Sequence, residues 1–177
     1  RAVREENLEE GFRIMYKTNP LPEVCGRICT HKCEDVCAMG HRGDPIAIRW
    51  LKRYIADSVG EEHYQEALKK ENPQDKDKKV AIVGAGPTGL SAAYYLALMG
   101  YSIKIFEAQP RAGGMMRYGI PEYRLPYDAL DADIDYILSL GVDIQYNTRV
   151  GKDVTLEQLH EEYDSVLVGT GLHAGRS

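Results

Sequence analysis

Val83-Gly84-Ala85-Gly86-Pro87-Thr88-Gly89 carries the pattern G-x-G-x-x-G, and its surroundings decide the fold. The apolar run 80–83 before it reads as a buried parallel strand. The small-residue run 90–99 after it reads as a helix, with Gly100 as its C-terminal cap. A glycine triplet alone is a weak signal; between a strand and a helix it is a dinucleotide-binding turn. Gly84 permits the tight bend, Gly86 lets a diphosphate reach the backbone, and Gly89 lets helix and strand pack closely. Free N–H groups at the helix N-terminus then face the diphosphate. A second strand, 102–106, ends at Glu107, 23 residues after Gly84. A carboxylate there accepts hydrogen bonds from a ribose hydroxyl pair and repels a 2′-phosphate, so this site is expected not to hold NADP.

Downstream the same alternation continues, with a helix at 127–140, a strand at 142–146, a helix at 155–162 and a strand at 165–168. The order predicts an α/β fold: a Rossmann-like parallel sheet with helical crossovers. After Glu107 the chain reads Ala108-Gln109-Pro110-Arg111-Ala112-Gly113-Gly114. A paired glycine seven residues beyond the ribose-binding acid resembles flavoproteins with two dinucleotide-binding domains. The resemblance implies FAD rather than NAD, with Gly113 and Gly114 running close to the cofactor.

Upstream the pattern changes. Residues 1–20 read as an amphipathic helix with Leu8, Phe12 and Met15 on one stripe, stopped by Asn19-Pro20-Leu21-Pro22. A second helix is expected from Pro45 to Val59, with Ile48, Leu51 and Ile55 on one face and a continuation over 60–71. The charged linker 72–79 marks a boundary between a helical, cysteine-rich module at 1–72 and the nucleotide-binding domain at 79–177. Between the two helices, an irregular loop over 25–44 holds all four cysteines: Cys25, Cys29, Cys33 and Cys37. In one straight helix they would span about 18 Å, at roughly 1.5 Å per residue, too far for one compact cluster. Either the segment folds back, which Gly26 allows, or the cysteines serve more than one site. Thiolates are the normal ligands of [4Fe–4S] clusters. Zinc, disulfides and free thiols are the competing readings. His31 and His41 flank the segment and read as solvated rather than as ligands.

Composition narrows the class. At 177 residues, with 44% hydrophobic and 28% charged, the chain suits one sizeable core plus a small appendage. The net charge of −5 argues against a nucleic-acid surface. No apolar run is long enough to span a membrane, and the N-terminus shows no secretory signal. Clustered cysteines suggest a reducing compartment, so a cytoplasmic location is expected. No catalytic acid, base or nucleophile is suggested.

The string Tyr118-Gly119-Ile120-Pro121-Glu122-Tyr123-Arg124-Leu125-Pro126 after the glycine pair completes the picture. It resembles the small (beta) subunit of NADPH-dependent glutamate synthase. It is also similar to the amino-terminal part of dihydropyrimidine dehydrogenase and to the large subunit of the flavin-based bifurcating ferredoxin:NADP oxidoreductase. Asn19-Pro20-Leu21-Pro22-Glu23-Val24-Cys25-Gly26-Arg27-Ile28-Cys29 matches the start of that family's iron–sulfur segment, and Gly169-Thr170-Gly171 sits at its return motif. The resemblance implies an electron-transfer module in which NADPH reduces FAD and clusters pass electrons to a partner subunit or domain. It implies FAD contacts from residues 84–88, Glu107, Met115, Arg124, Val150 and the Thr170-Gly171 turn. It further implies that Cys29 and Cys33 hold one cluster and that Cys37 crosses to another. Lys52 stands where dihydropyrimidine dehydrogenase supplies a glutamine. The family's second Rossmann unit for NADPH and its upstream cysteine motif are not seen, so a fragment is expected. Two rivals stay open: a plain NAD-binding dehydrogenase domain, and a zinc-holding interaction module without enzymatic activity.

Overall fold

The computed structural model describes residues 1–59 and 77–172. The helix expected over 60–71 and most of the charged linker lie outside them. The chain divides into two compact units: Arg1–Lys69 with Tyr123–Asp133, and Lys70–Glu122 with Ile134–Ser177.

The second unit is built on four parallel strands: β1 (Lys79–Val83), β2 (Ser102–Phe106), β3 (Asp143–Gln145) and β4 (Ser165–Val168). Their spatial order is β3-β2-β1-β4. The register pairs Val83 with both Phe106 and Val168, so these strands end together. The chain leaves β1 toward β2 and β3, then returns on the other side of β1 with β4. That reversal opens a crevice at the carboxyl ends of the strands, where open α/β sheets bind ligands. Along β1 the side chains alternate between faces. Ala81 and Val83 join Phe106 and Leu159 in one buried cluster, backed by Val150, Val154, Tyr163 and Val166.

The crossover after β1 is the helix Pro87–Leu98, starting three residues earlier than the sequence pattern suggested. Proline sits at its first position, where a missing N–H costs nothing. Gly89, Ala93 and Ala97 are buried small residues on this helix, and Leu90 and Tyr94 are fully buried. The helix packs against β1 and β2. The helix Leu156–Glu162 is started by a reciprocal Thr155–Gln158 capping box.

In the first unit the helices are shorter than the sequence suggested. Helix α1 spans Leu8–Tyr16, α2 Pro22–Ile28, α3 Lys32–Asp35 and α4 Ile48–Ser58, with a 3₁₀ turn at Ala38–His41. The irregular loop expected over 25–44 is therefore corrected: Cys25 lies on α2 and Cys33 on α3. Proline at the first position of α2 gave the start that the reading missed. Pro45 precedes α4 rather than opening it. Gly26 has a different use from the one expected. A Cβ there would lie 3.1 Å from the Arg53 Cα, so glycine lets α2 approach α4. Arg27 pairs with Glu23 and, at 2.9 Å, with Asp57.

The pattern 127–140 is a helix, Tyr127–Ser139. Its residues through Asp133 group with the first unit and the rest with the second. Asp133 is fully buried, and its carboxylate caps the start of α2 by accepting the Val24 N–H at 3.0 Å and the Glu23 N–H at 3.3 Å. The Tyr16 hydroxyl donates to it at 3.4 Å. Burial pushes the Asp133 carboxyl up to about 8, while those N–H groups pull the other way.

Candidate functional site: a glycine crevice and a cysteine segment

Three backbone turns form the crevice of the second unit. Gly84 has φ +100°, and a Cβ on it would lie 2.6 Å from the Gly169 carbonyl oxygen. Only glycine fits there, because the chain leaving β4 crosses directly over the bend leaving β1. A Cβ on Gly89 would overlap the Gly84 carbonyl oxygen. Gly114 has φ +52°, and its Cβ would lie 2.8 Å from the Gly86 Cα, so the two glycine turns meet backbone to backbone. At the start of the Pro87–Leu98 helix the first-turn N–H groups have no partner within the helix. They add the positive end of its dipole to the crevice.

Glu107 stands opposite. It is 6% exposed, and its Oε2 accepts the Ala85 N–H at 2.6 Å while Oε1 accepts the Gln109 N–H at 2.8 Å. Each oxygen keeps a lone pair for a sugar hydroxyl. The carboxylate is thereby fixed against the same turn that carries Gly84 and Gly86. The cavity measures about 420 Å³, within the range of roughly 300–1,000 Å³ usual for small-molecule sites.

Of the residues expected from sequence, Gly84, Gly86, Pro87, Thr88, Glu107, Gly114, Met115, Val150, Thr170 and Gly171 line this cavity. Ala85, Gly89 and Gly113 shape it from behind: the Gly113 N–H donates to the Ala85 carbonyl at 2.8 Å. Arg124 is exposed on a turn, groups with the first unit and is not among the lining residues. The sequence reading missed Gln109, Thr148 and Arg149, which also line the cavity. They belong to loops clamped together, since Asn147 and Thr148 donate to the carbonyls of Gln109 and Glu107. The left-handed Asn147, at φ +53°, was the available signal for that tight loop.

The cysteines are arranged differently. Cys25 is part of α2, Cys29 ends it, Cys33 is exposed on α3 and Cys37 precedes the 3₁₀ turn. No disulfide joins any of the four. Two show the donor pattern that suits thiolate ligands. The Cys29 sulfur accepts the His31 N–H at 3.3 Å, and the backbone N–H groups of Ile46, Met39 and Gly40 hold the Cys37 thiol below its ordinary value. Burial pushes the Cys25 thiol up, with Lys52 pulling it down. Among the described residues no group of three or more His, Cys, Asp or Glu side chains is placed to hold a metal ion. The chemistry of these donors fits an iron–sulfur ligand set, while their positions supply no cluster geometry. Among the described residues no helix is long and apolar enough to cross a membrane.

Comparison with known proteins bears out the resemblance. Residues 1–64 match the family described as dihydropyrimidine dehydrogenase domain II, 4Fe-4S cluster, and residues 82–130 match the NAD(P)-binding Rossmann-like domain. The NADP(+)-dependent formate dehydrogenase subunit beta of Moorella thermoacetica is 45% identical over 98% of this chain and 27% of its own length. The NADPH-Fe(3+) oxidoreductase subunit beta of Geobacter sulfurreducens is 46% identical over 99% of this chain and 26% of its own. The NAD-dependent dihydropyrimidine dehydrogenase subunit PreT of Salmonella typhimurium is 39% identical over 99% of this chain and 42% of its own. The chain thus spans about a quarter of the first two relatives' length and 42% of the third's. Among solved structures, FprA, an oxidoreductase of Mycobacterium tuberculosis, superposes with a TM-score of 0.53 at 23% identity. It covers 56% of this chain and 24% of its own, and it shows the fold.

Proposed function

We propose that this chain, which belongs with the dihydropyrimidine dehydrogenase-type iron–sulfur and dinucleotide-binding proteins, is the FAD-holding and cluster-bearing part of an NADPH-dependent electron-transfer oxidoreductase. The observation that carries the reading is the Glu107 carboxylate, held 2.6 Å from the Ala85 N–H beside a crevice walled by Gly84, Gly86 and Gly114. Residues 79–177 form the flavin-binding domain in this reading, and residues 1–72 carry the cluster ligands Cys29, Cys33 and Cys37, with Cys25 beside them. When bound, FAD accepts a hydride from a reduced nicotinamide, and iron–sulfur clusters carry the electrons singly to a partner.

The chain's own residues bind and orient. The N–H groups of Gly86 and Thr88, both lining the crevice, would meet the diphosphate. Glu107 accepts the hydroxyl pair of the adenosine ribose. The loop of Thr148, Arg149 and Val150 is tied to Glu107 by the Thr148 N–H and would border the adenine, while Met115 and Thr170-Gly171 line the rest of the crevice. NADPH is assigned to a separate site, because its 2′-phosphate would meet the Glu107 carboxylate. The partner is an electron-accepting subunit, in keeping with relatives that are themselves named as subunits. A cytoplasmic location goes with cysteines clustered between Cys25 and Cys37 rather than spread to close disulfide loops.

Titration of the anaerobically purified chain with FAD and, separately, with NAD tests this reading. One FAD per chain, not displaced by NAD, together with iron and acid-labile sulfide is expected. Preferential binding of NAD, or zinc in place of iron, would overturn it.

A further inference from the structure

A buried cation braces the loop that carries the second glycine turn. Arg117 is 7% exposed on the one-turn helix Met115–Tyr118, directly after the glycine pair. Its Nε donates to the Ala112 carbonyl at 2.7 Å. A buried guanidinium given to a backbone carbonyl fixes that peptide strongly, because charge-assisted hydrogen bonds are shorter and stronger than neutral ones. The peptide it fixes is the one entering Gly113. The Gly113 N–H then donates to the Ala85 carbonyl at 2.8 Å, and the Ala85 N–H donates to Glu107 at 2.6 Å. Gly114, next in line, lies against the Gly86 Cα. One continuous strut therefore runs from Arg117 through Ala112 and Gly113 to the Ala85 peptide, which joins the phosphate turn to the ribose-binding acid. The Arg117 N–H also closes back on the Gly114 carbonyl at 3.0 Å, making the loop and its brace one unit.

We infer that Arg117 is a positioning residue for diphosphate binding: it holds the second glycine turn against the first, so that the crevice keeps its width when a dinucleotide enters. The inference rests on the FAD reading for its ligand, but the strut itself exists without one. It predicts a selective effect. A ligand that needs the paired turns should suffer, while one that needs only the ribose acid and the adenine loop should not.

The test compares Arg117→Met, which keeps the apolar stem and loses the donors, with Arg117→Lys, which keeps charge and one donor site. FAD, ADP and adenosine are titrated against each, and amide exchange at Gly113 is followed in the ligand-free chain. Arg117→Met should weaken FAD and ADP about tenfold or more, as loss of a charge-assisted buried hydrogen bond implies, with adenosine unchanged. Exchange at Gly113 should speed up, and Arg117→Lys should recover part of both effects. Equal loss of all three ligands, or unchanged FAD and ADP affinity, would overturn the inference. Unchanged Gly113 exchange in Arg117→Met, or in Arg117→Lys if the methionine variant does not fold, would overturn it whatever the chain binds. Faster exchange in a chain whose wild type takes up no FAD would keep the strut and sink the flavin reading instead.

Discussion

The glycine crevice and the cysteine segment are both sites for a prosthetic group, yet they are constructed on opposite principles. The crevice consists mainly of backbone: Gly84 beneath Gly169, Gly114 against Gly86, a helix start, and one carboxylate pinned by two N–H groups. Packing of the parallel sheet makes it, with backbone contacts that need no ligand. The cysteine segment offers side-chain donors on three short elements, with N–H groups already turned toward Cys29 and Cys37 but, among the described residues, no three donors gathered. There the metal itself would draw the ligands together, as in sites where binding and folding are one event. A preformed site tolerates loss of its ligand; an assembled one does not.

Substitutions can break this contrast. The largest effect is expected from Gly89→Ala, whose methyl would collide with the Gly84 carbonyl. Overpacking of that kind costs roughly 1–3 kcal/mol, and FAD uptake measured by flavin fluorescence should vanish while iron content is kept. Conversely, Cys29→Ser should lower iron and acid-labile sulfide sharply and leave FAD affinity within about twofold, a change of less than roughly 0.5 kcal/mol. If either substitution emptied both sites, the two would not be independent constructions.

Glu107→Gln sharpens the account of the crevice. The amide keeps the shape but gives up a charged acceptor, and FAD should weaken about tenfold, in line with hydrogen bonds to charged groups. Calorimetry with FAD and with adenosine should show the same loss, since both present the ribose.

The smallest effect concerns the cysteine-bearing unit without its metal. The folded Asp133 carboxyl holds its proton to about pH 8, whereas an unfolded one releases it near 3.8. Across that window the folded state binds more protons, so stability is fully present below it and falls as pH rises through it. Tyr16, Glu23 and Cys25 are the other titratable groups around it. Between pH 6.5 and 7.5 the loss should stay under about 1.4 kcal/mol, and Asp133→Asn should flatten the slope in urea denaturation.

The sequence was most readable where backbone rules are strict. The triplet Gly84, Gly86, Gly89 with Glu107 announced the crevice, because only glycine survives at φ +100° or under a crossing carbonyl. The parallel sheet with its helical crossovers followed from the alternation of apolar runs with helices. The cysteine segment was less legible. Its helices have four to seven residues, too short for a 3.6-residue period to show, and their starts depend on Pro22 and on a left-handed His31. Gln109, Thr148 and Arg149 were missed because their place in the cavity comes from long-range loop pairing rather than from any local pattern. Asp133 reads as one acid among several on an amphipathic helix; only its burial reveals a cap for α2.

The most direct measurement is a crystal structure of the chain grown with FAD. The account predicts the diphosphate on the N–H groups of Gly86 and Thr88, with the adenosine ribose on the Glu107 carboxylate. Density for FAD away from these groups, or a crevice that stays empty at saturating FAD, would contradict it.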